Sequence, residues 1–494
     1  MFRILVWVVV VFAYLLPLLY FLFSLSSLNL EYLKLVFTPS DIKLLSLSLV
    51  YAFFIGVAST FLGSILSFVL IFSDLKYKKE FFLSFLLPIL IPTYIFVFAW
   101  MGFLGKRGTF LPYNIPNIPL DIYNPFAFVL FSTLSYFPFS LIFTGLGFML
   151  LDEKLIDAAR LVTKSKWKIV KGIILPLMRP YLLLSFVFPF AFSLSEFTVP
   201  SFLRVNTYQL EIFTQLATFY DLRKASVYSL PLLFISLVLM FLSYKKIKHI
   251  DLTRISKRHK PLMKSNKILY LILLFFLFIS IGAPLFMLFL ESEGKLFVSV
   301  VNAKTQILNS ILLCFIVSTI STFVGFLSVI LYEEKASTLL LTLFLPTPIL
   351  ALTILNLYSR VTTNYMLMML LGYIARYLPF SVLIFLASFS RISQSIKNSV
   401  KLLDRPFWKK VFAFYLPLQS KAFLVSFLSL FVLSMMEVDL PQMLSPPGFQ
   451  TLSLRIETLM HYADYAQVSS LSLFLVLFLL VIYSVIGVIG ETGD

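Results

Sequence analysis

Pro125-Phe-Ala-Phe-Val-Leu-Phe-Ser-Thr-Leu-Ser-Tyr136-Phe-Pro138-Phe139-Ser140-Leu-Ile-Phe-Thr-Gly-Leu-Gly-Phe-Met-Leu150 runs for 26 residues without one charged side chain. About 20 apolar residues cross the hydrocarbon core of a bilayer as a helix, so this stretch is predicted to span a membrane. The rest of the chain reads the same way. Of its 494 residues, 60% are apolar, only 13% are charged and 56 are Phe, whereas a soluble domain carries roughly 25% charged residues. Further apolar runs at 5–26, 43–73, 81–104, 180–203, 226–244, 267–291, 307–332, 336–358, 367–390, 421–444 and 468–490 bring the predicted spans to twelve. The first run is too long for the apolar core of a signal peptide and no A-x-A site follows it, so it is read as a retained helix.

Several function classes fall away on composition. The single cysteine, Cys314, lies in an apolar run, so neither a disulfide framework nor a thiolate metal site is expected. His249, His259 and His461 are too scattered for zinc-like spacing. No G-x-x-x-x-G-K-[ST] phosphate loop occurs. The net charge of +17 invites a nucleic-acid reading, but with both termini placed in the cytoplasm 28 of the 40 Lys and Arg fall on the cytoplasmic side. That is the positive-inside bias of a membrane protein. The charge is therefore topological, and no nucleic-acid partner is expected.

The basic run Tyr244–Lys260 divides the chain into two groups of six predicted spans, and one pattern recurs on both sides of it. At an offset of 241 residues, Tyr136, Pro138, Phe139 and Ser140 match Tyr377, Pro379, Phe380 and Ser381. Trp167-Lys168 matches Trp408-Lys409, and Leu175-Pro176-Leu177 matches Leu416-Pro417-Leu418. Glu196 and Pro200 match Glu437 and Pro441, and Ala225, Val227, Ser229 and Leu230 match Ala466, Val468, Ser470 and Leu471. An even number of spans per copy gives both copies one orientation, a parallel repeat. The expected fold is an all-α integral membrane protein of about twelve spans in two parallel six-helix repeats. The first repeat covers 1–244, a basic cytoplasmic linker 245–266, and the second repeat 267–494.

Two cytoplasmic loops, 151–179 and 391–420, are long and occupy the same place in each half. In the first, Leu155, Ala158 or Ala159, Val162 and Trp167 fall at helical spacing, with Lys154, Asp157, Arg160 and Lys164 elsewhere around the cylinder. Ser165 is placed to cap a second short helix. A helix–turn–helix on the cytoplasmic surface follows, with small residues at its centre that let another protein approach. Membrane anchoring by anionic lipid is the competing reading of such basic helices.

This loop resembles the E-A-A-x(3)-G-x(9)-I-x-L-P signature of ATP-binding-cassette importer permeases. Asp157-Ala158-Ala159 stands for E-A-A, Thr163 for the glycine, and Ile173, Leu175 and Pro176 hold the remaining positions at full spacing. The second half carries a degraded copy in Asn398-Ser399-Val400, Asp404, Phe414, Leu416 and Pro417, with Trp408 repeating Trp167. The resemblance implies a type I importer fold in which each loop is a coupling helix seated in a separate ATPase subunit. It further implies two such ATPases, an external substrate-binding protein and a prokaryotic inner membrane, with no cofactor and no catalytic residue in this chain. Thr163 and Asp404 depart from the glycine, where left-handed geometry would favour Gly or Asp over Thr, and the second loop's eroded E-A-A makes the two ATPase contacts unequal. The six-plus-six layout is similar to fused iron(III)-type permeases, with thiamine and phosphonate importers as cousins. Ser445–Ile456 with His461-Tyr462-Ala463 resembles the iron group's last outer loop, which makes iron(III) the expected cargo.

Glu196 and Glu437 lie within predicted spans, where an acid costs roughly 2.5–3.5 kcal/mol on insertion scales. Two roles are open to them: lining a translocation path for a cation, across which they would face one another, or hydrogen-bonding a helix broken ahead of Pro200 and Pro441. Met435 and Met436 read as core filling. Pro88, Pro92, Pro346 and Pro348 are predicted to kink the third and ninth spans. Lys106, Arg107, Arg204, Arg223 and Arg455 are candidate contacts for a binding protein. A gradient-driven six-plus-six transporter is the alternative class, although Asp74–Lys79 lacks the G-x-x-x-D-R-x-G-R-R-like loop such proteins carry. A membrane enzyme would need clustered acids or histidines at one interface, and none is seen.

Overall fold

The computed structural model describes residues 2–26, 38–104, 121–163, 165–247 and 261–491. Lys106, Arg107, Lys164, His249, His259 and the 248–260 part of the basic linker lie outside them. Among the described residues all regular structure is helical, with one isolated parallel bridge between Ser73 and Met263. In chain order the helices are α1 (Phe2–Ser24), α2 (Pro39–Phe72), α3 (Lys78–Leu90), α4 (Thr93–Leu104), α5 (Pro125–Met149), α6 (Glu153–Val162) and α7 (Lys166–Ser195). Then come α8 (Thr198–Phe202), α9 (Tyr208–Ala217), α10 (Leu222–Ser243), α11 (Lys267–Glu291), α12 (Lys304–Tyr332), α13 (Lys335–Phe344) and α14 (Thr347–Tyr358). The chain closes with α15 (Tyr365–Phe389), α16 (Gln394–Leu402), α17 (Phe407–Leu418), α18 (Ser420–Met435), α19 (Asp439–Leu444), α20 (Leu452–His461) and α21 (Tyr465–Ile489).

Nine of these helices are individually long and apolar enough to cross a membrane, and three bent pairs raise the number to twelve. The pairs are α3–α4, bent by 92°, α13–α14, bent by 100°, and α17–α18, bent by 79°. At the first two bends Pro92 and Pro346 sit in the break, and the expected kink is a near right angle. Proline cannot donate the backbone bond that would carry the helix through.

Proline also leaves a milder signature four times. Val11–Leu15, Val170–Ile174, Phe278–Gly282 and Val411–Tyr415 are π turns. The next two residues are Leu16-Pro17, Leu175-Pro176, Ala283-Pro284 and Leu416-Pro417 in turn. In each case the residue before proline donates its N–H to the carbonyl five residues back. A proline ring crowds the carbonyl four residues earlier, and one widened turn lets the helix pass that point unbroken.

The chain packs as two compact units that do not follow the sequence halves. One unit holds Met1–Thr38, Ile212–Tyr244 and Gly294–Asp494; the other holds Pro39–Glu211 and Lys245–Glu293. The opening helix of each half is thus exchanged. Within the former unit, Tyr14 of α1 donates its hydroxyl to the Ala375 carbonyl at 2.6 Å, and Tyr358 donates to the Phe12 carbonyl at 2.7 Å. Within the latter, Phe276 of α11 lies edge-on to Phe137 at 5.1 Å between ring centres, and the Tyr270 hydroxyl accepts the Lys76 amide at 2.9 Å.

Small residues bring the helices together, as lipid exerts no hydrophobic pressure between them. A Cβ added to Gly63 would stand 2.6 Å from the Leu141 amide nitrogen, and one on Gly325 would meet the Ser381 hydroxyl at 2.2 Å. Nothing lies within 4 Å of such an atom at Gly487. Gly63→Val is therefore expected to cost about 1–3 kcal/mol through overpacking of α2 on α5. Gly487→Ala is expected to be neutral or slightly stabilising. Thermal unfolding of the two variants in nanodiscs checks the contrast.

Candidate functional site

The 151–179 loop builds a surface from two short helices. Asp152 caps α6 by accepting the Lys154 amide at 2.9 Å, and Ser165 caps the next helix by accepting the Lys168 amide at 3.4 Å, as the sequence predicted for Ser165. Which face of α6 turns inward is not as expected. Ile156 and Ala159 are buried, packed with Ile169, Ile174, Met178, Phe72, Phe148 and Leu151. Ala158 and Leu155 are exposed, and the side chains pointing furthest out are Leu161 at 91%, Val162 at 88% and Trp167 at 70% exposure. The predicted approach of another protein onto Ala159 is thus corrected: Ala159 seats α6 on its own unit, and the outward knobs are apolar and large. Arg160 meets Asp157 at 3.3 Å across one turn.

Neither turn residue requires glycine. Thr163 is extended, with φ −145° and ψ 135°, and its Oγ1 accepts the Ser165 amide at 3.2 Å. Asp404 is absent from the residues with positive φ. The left-handed geometry expected at these positions does not occur, so the departures from glycine carry no backbone strain. Leu175 and Pro176 close the π turn Val170–Ile174 that carries the loop into α7, and Leu416 and Pro417 close its counterpart.

The second loop repeats the layout at the residues 241 positions on. Val400, opposite Ala159, is buried; Leu402, opposite Leu161, is 85% exposed; Trp408, opposite Trp167, is 51% exposed. Asn398 and Ser399 face outward on α16, Ser399 bonding back to the Ser395 carbonyl at 3.0 Å. Lys401 is ion-paired with Glu333 at the end of α12, and that hydrogen bond raises the lysine pKa above its ordinary value.

The last residues of the basic linker are fastened beneath the first loop. The Leu262 and Met263 amides both donate to the Phe72 carbonyl, at 2.7 and 3.1 Å, and the Leu262 side chain joins the apolar core under α6. The Ser265 amide donates to the Asp74 carboxylate and holds its pKa below the ordinary value. Sequence reasoning missed this role for Leu262 and the outward Leu161 and Leu402. The leucine pair had one available sign, identity at the offset of 241 residues.

Glu196 and Glu437 share one geometry. α7 ends at Ser195, and Glu196 turns out of the helix with ψ 123°. Its Oε1 accepts the Val199 amide at 3.2 Å at the start of α8, and its Oε2 accepts the Tyr136 hydroxyl at 3.0 Å. Glu437 does the same between α18 and α19, with the Leu440 amide at 3.2 Å and the Tyr377 hydroxyl at 2.6 Å. Each carboxylate therefore closes a helix break ahead of its proline. Elsewhere, Arg204 stacks over the Tyr123 ring at 5.0 Å. Among the described residues no group of three or more His, Cys, Asp or Glu is placed to hold a metal ion.

Glu437→Ala leaves the Leu440 amide short of an acceptor and the Tyr377 hydroxyl with the Leu433 carbonyl alone, at 3.1 Å, and a loss of about 1–3 kcal/mol is expected. Glu437→Gln keeps an oxygen for the amide and is expected to retain most of the stability. Melting of the two variants and of their Glu196 counterparts checks this. Compared with known proteins, the chain matches no family model, no curated protein and no solved structure.

Proposed function

We propose that this chain is the membrane-spanning permease subunit of an ATP-binding-cassette importer, built as two parallel six-span repeats. The observation that carries the reading is the pair of loops. Each buries the apolar residue at the matching position, Ala159 or Val400, presents a leucine and a tryptophan outward, and passes through a π turn into a proline-bearing helix. A lone membrane anchor would need no second copy at a fixed offset. Covering each apolar knob is worth about 1.5–3 kcal/mol, and a soluble ATPase subunit on each loop supplies that cover. Motion then passes from a bound ATPase through the short helices into α7 and into α17–α18, and cargo crosses by alternating access.

Paired local geometries support the repeat. The Glu–Tyr closures recur at offset 241, and two outer contacts recur with slightly different spacing: Ser48 accepts the Tyr208 amide at 2.8 Å, Ser310 the Leu452 amide at 2.7 Å. On this reading the chain lies in a prokaryotic inner membrane with both termini cytoplasmic, and takes its cargo from an external binding protein. The chain catalyses no reaction itself. Iron(III) is the cargo to test first, on the likeness of the Ser445–Ala463 loop to iron permeases.

The test is purification of the chain from its native membrane. About two ATPase copies per chain are expected. Leu161→Glu with Trp167→Glu should release one copy, and Leu402→Glu with Trp408→Glu the other, with melting unchanged. A chain that purifies alone and drives uptake on a proton gradient would sink the proposal in favour of a gradient-driven transporter.

A further inference from the structure

We propose that Gln442, Glu457 and His461 form a binding site for a divalent first-row transition-metal ion, on the membrane face opposite the 391–420 loop. α18 separates that loop from α19 and α20, which carry the three residues. Glu457 and His461 stand one turn apart on the same side of α20. Glu457 is only 4% exposed, and its Oε1 lies 2.8 Å from His461 Nε2 and 3.2 Å from Gln442 Nε2.

The arrangement leaves two needs unmet. A buried carboxylate requires a compensating positive charge, and among the described residues Glu457 is offered a neutral amide and the His461 imidazole, 53% exposed at its side chain, which is a cation only when protonated. Arg455, two residues earlier on the same helix, points to another side. Beside the carboxylate, Gln442 Oε1 is buried with no hydrogen-bond partner among the described residues. A cation answers both needs. Rotating the amide by half a turn exchanges its nitrogen for the orphan oxygen, so that an amide oxygen, a carboxylate oxygen and an imidazole nitrogen converge. Ligands about 2.0–2.2 Å from one ion stand roughly 3 Å from each other, close to the two separations observed. The mixed nitrogen and oxygen donors suit zinc-like and neighbouring ions over magnesium or calcium, and water completes the shell. The half-exposed imidazole is the way in.

The first half shows that packing does not demand these groups. Thr207 caps α9 through the Leu210 amide at 3.3 Å, and Thr451 caps α20 through the Leu454 amide at 3.2 Å. Aligned on those caps, Glu457 and His461 correspond to Phe213 and Ala217. Aligned on the Glu196 and Glu437 closures, Gln442 corresponds to Ser201. All three polar groups are replaced together.

The site does not rest on the importer reading, and the test needs neither ATPase nor cargo. Chelator-stripped, untagged full-length chain in nanodiscs is dialysed against Zn2+ in excess Mg2+, and bound metal is counted by mass spectrometry. About one zinc per chain is expected, with affinity lowered at least about tenfold by His461→Ala and by Glu457→Gln and raised by Gln442→Glu. His461→Ala also removes the 2.8 Å partner of the buried Glu457 carboxylate, so His461→Gln, which keeps a donor for that carboxylate and should melt as the wild type does without metal, separates loss of zinc from misfolding. Absence of stoichiometric zinc, or equal occupancy in wild type and His461→Ala, would overturn the proposal.

Discussion

Lipid cannot solvate a backbone N–H or C=O, so each interruption of a helix within a bilayer must be closed by the protein itself. This chain interrupts its helices repeatedly, and several of the interruptions have a local chemical solution. Where Pro17, Pro176, Pro284 and Pro417 remove a donor, the preceding amide reaches one residue further back through a π turn. Where α7 and α18 stop altogether, Glu196 and Glu437 accept the first amides of the next helix and a tyrosine hydroxyl from a neighbouring span. An acid that composition marks as an expense in the membrane is thus part of what allows the backbone to turn there.

These closures have a mechanical consequence. A π turn keeps the helix continuous while shifting its register, so the first loop and α7 form one connected lever from the exposed Trp167 to Ser195. In the second half the lever is jointed: α17 and α18 meet at 79°. Gln419 stands in that joint, buried and with neither side-chain amide atom hydrogen-bonded among the described residues, whereas the matching Met178 fills the apolar core beneath the first loop. The two loops therefore share their outward face but not the stiffness behind it.

The exchange of α1 and α11 between packing units ties each half of the sequence to the other without any contact peculiar to the basic linker. Leu262 adds a second tie, since the end of that linker is fixed to the Phe72 carbonyl before α11 begins. A single chain makes both ties intramolecular, and loop closure is far less costly than association of separate chains.

Much of this was legible in the sequence. Uncharged runs such as Pro125–Leu150 announce membrane helices because burying charge in lipid is prohibitive, and ten of the twelve predicted runs correspond to a single helix or a bent pair, whereas 180–203 and 421–444 run on past the helix ends at Ser195 and Met435 into short helices. The offset of 241 marked Glu196 with Glu437 and Trp167 with Trp408 because equivalent breaks and surfaces need the same side chains. What the sequence could not decide was direction. Periodicity gives α6 an apolar stripe but does not say which part meets its own unit, and only packing assigned Ala159 inward and Leu161, Val162 and Trp167 outward. Helix ends were similarly beyond reach: α7 stops at Ser195 within a run that stays apolar to Leu203, because a carboxylate and a distant tyrosine close it there. Local chemistry is written along the chain, but a break, a face or a buried partner is chosen by residues far apart in sequence, and only the tertiary structure brings them together.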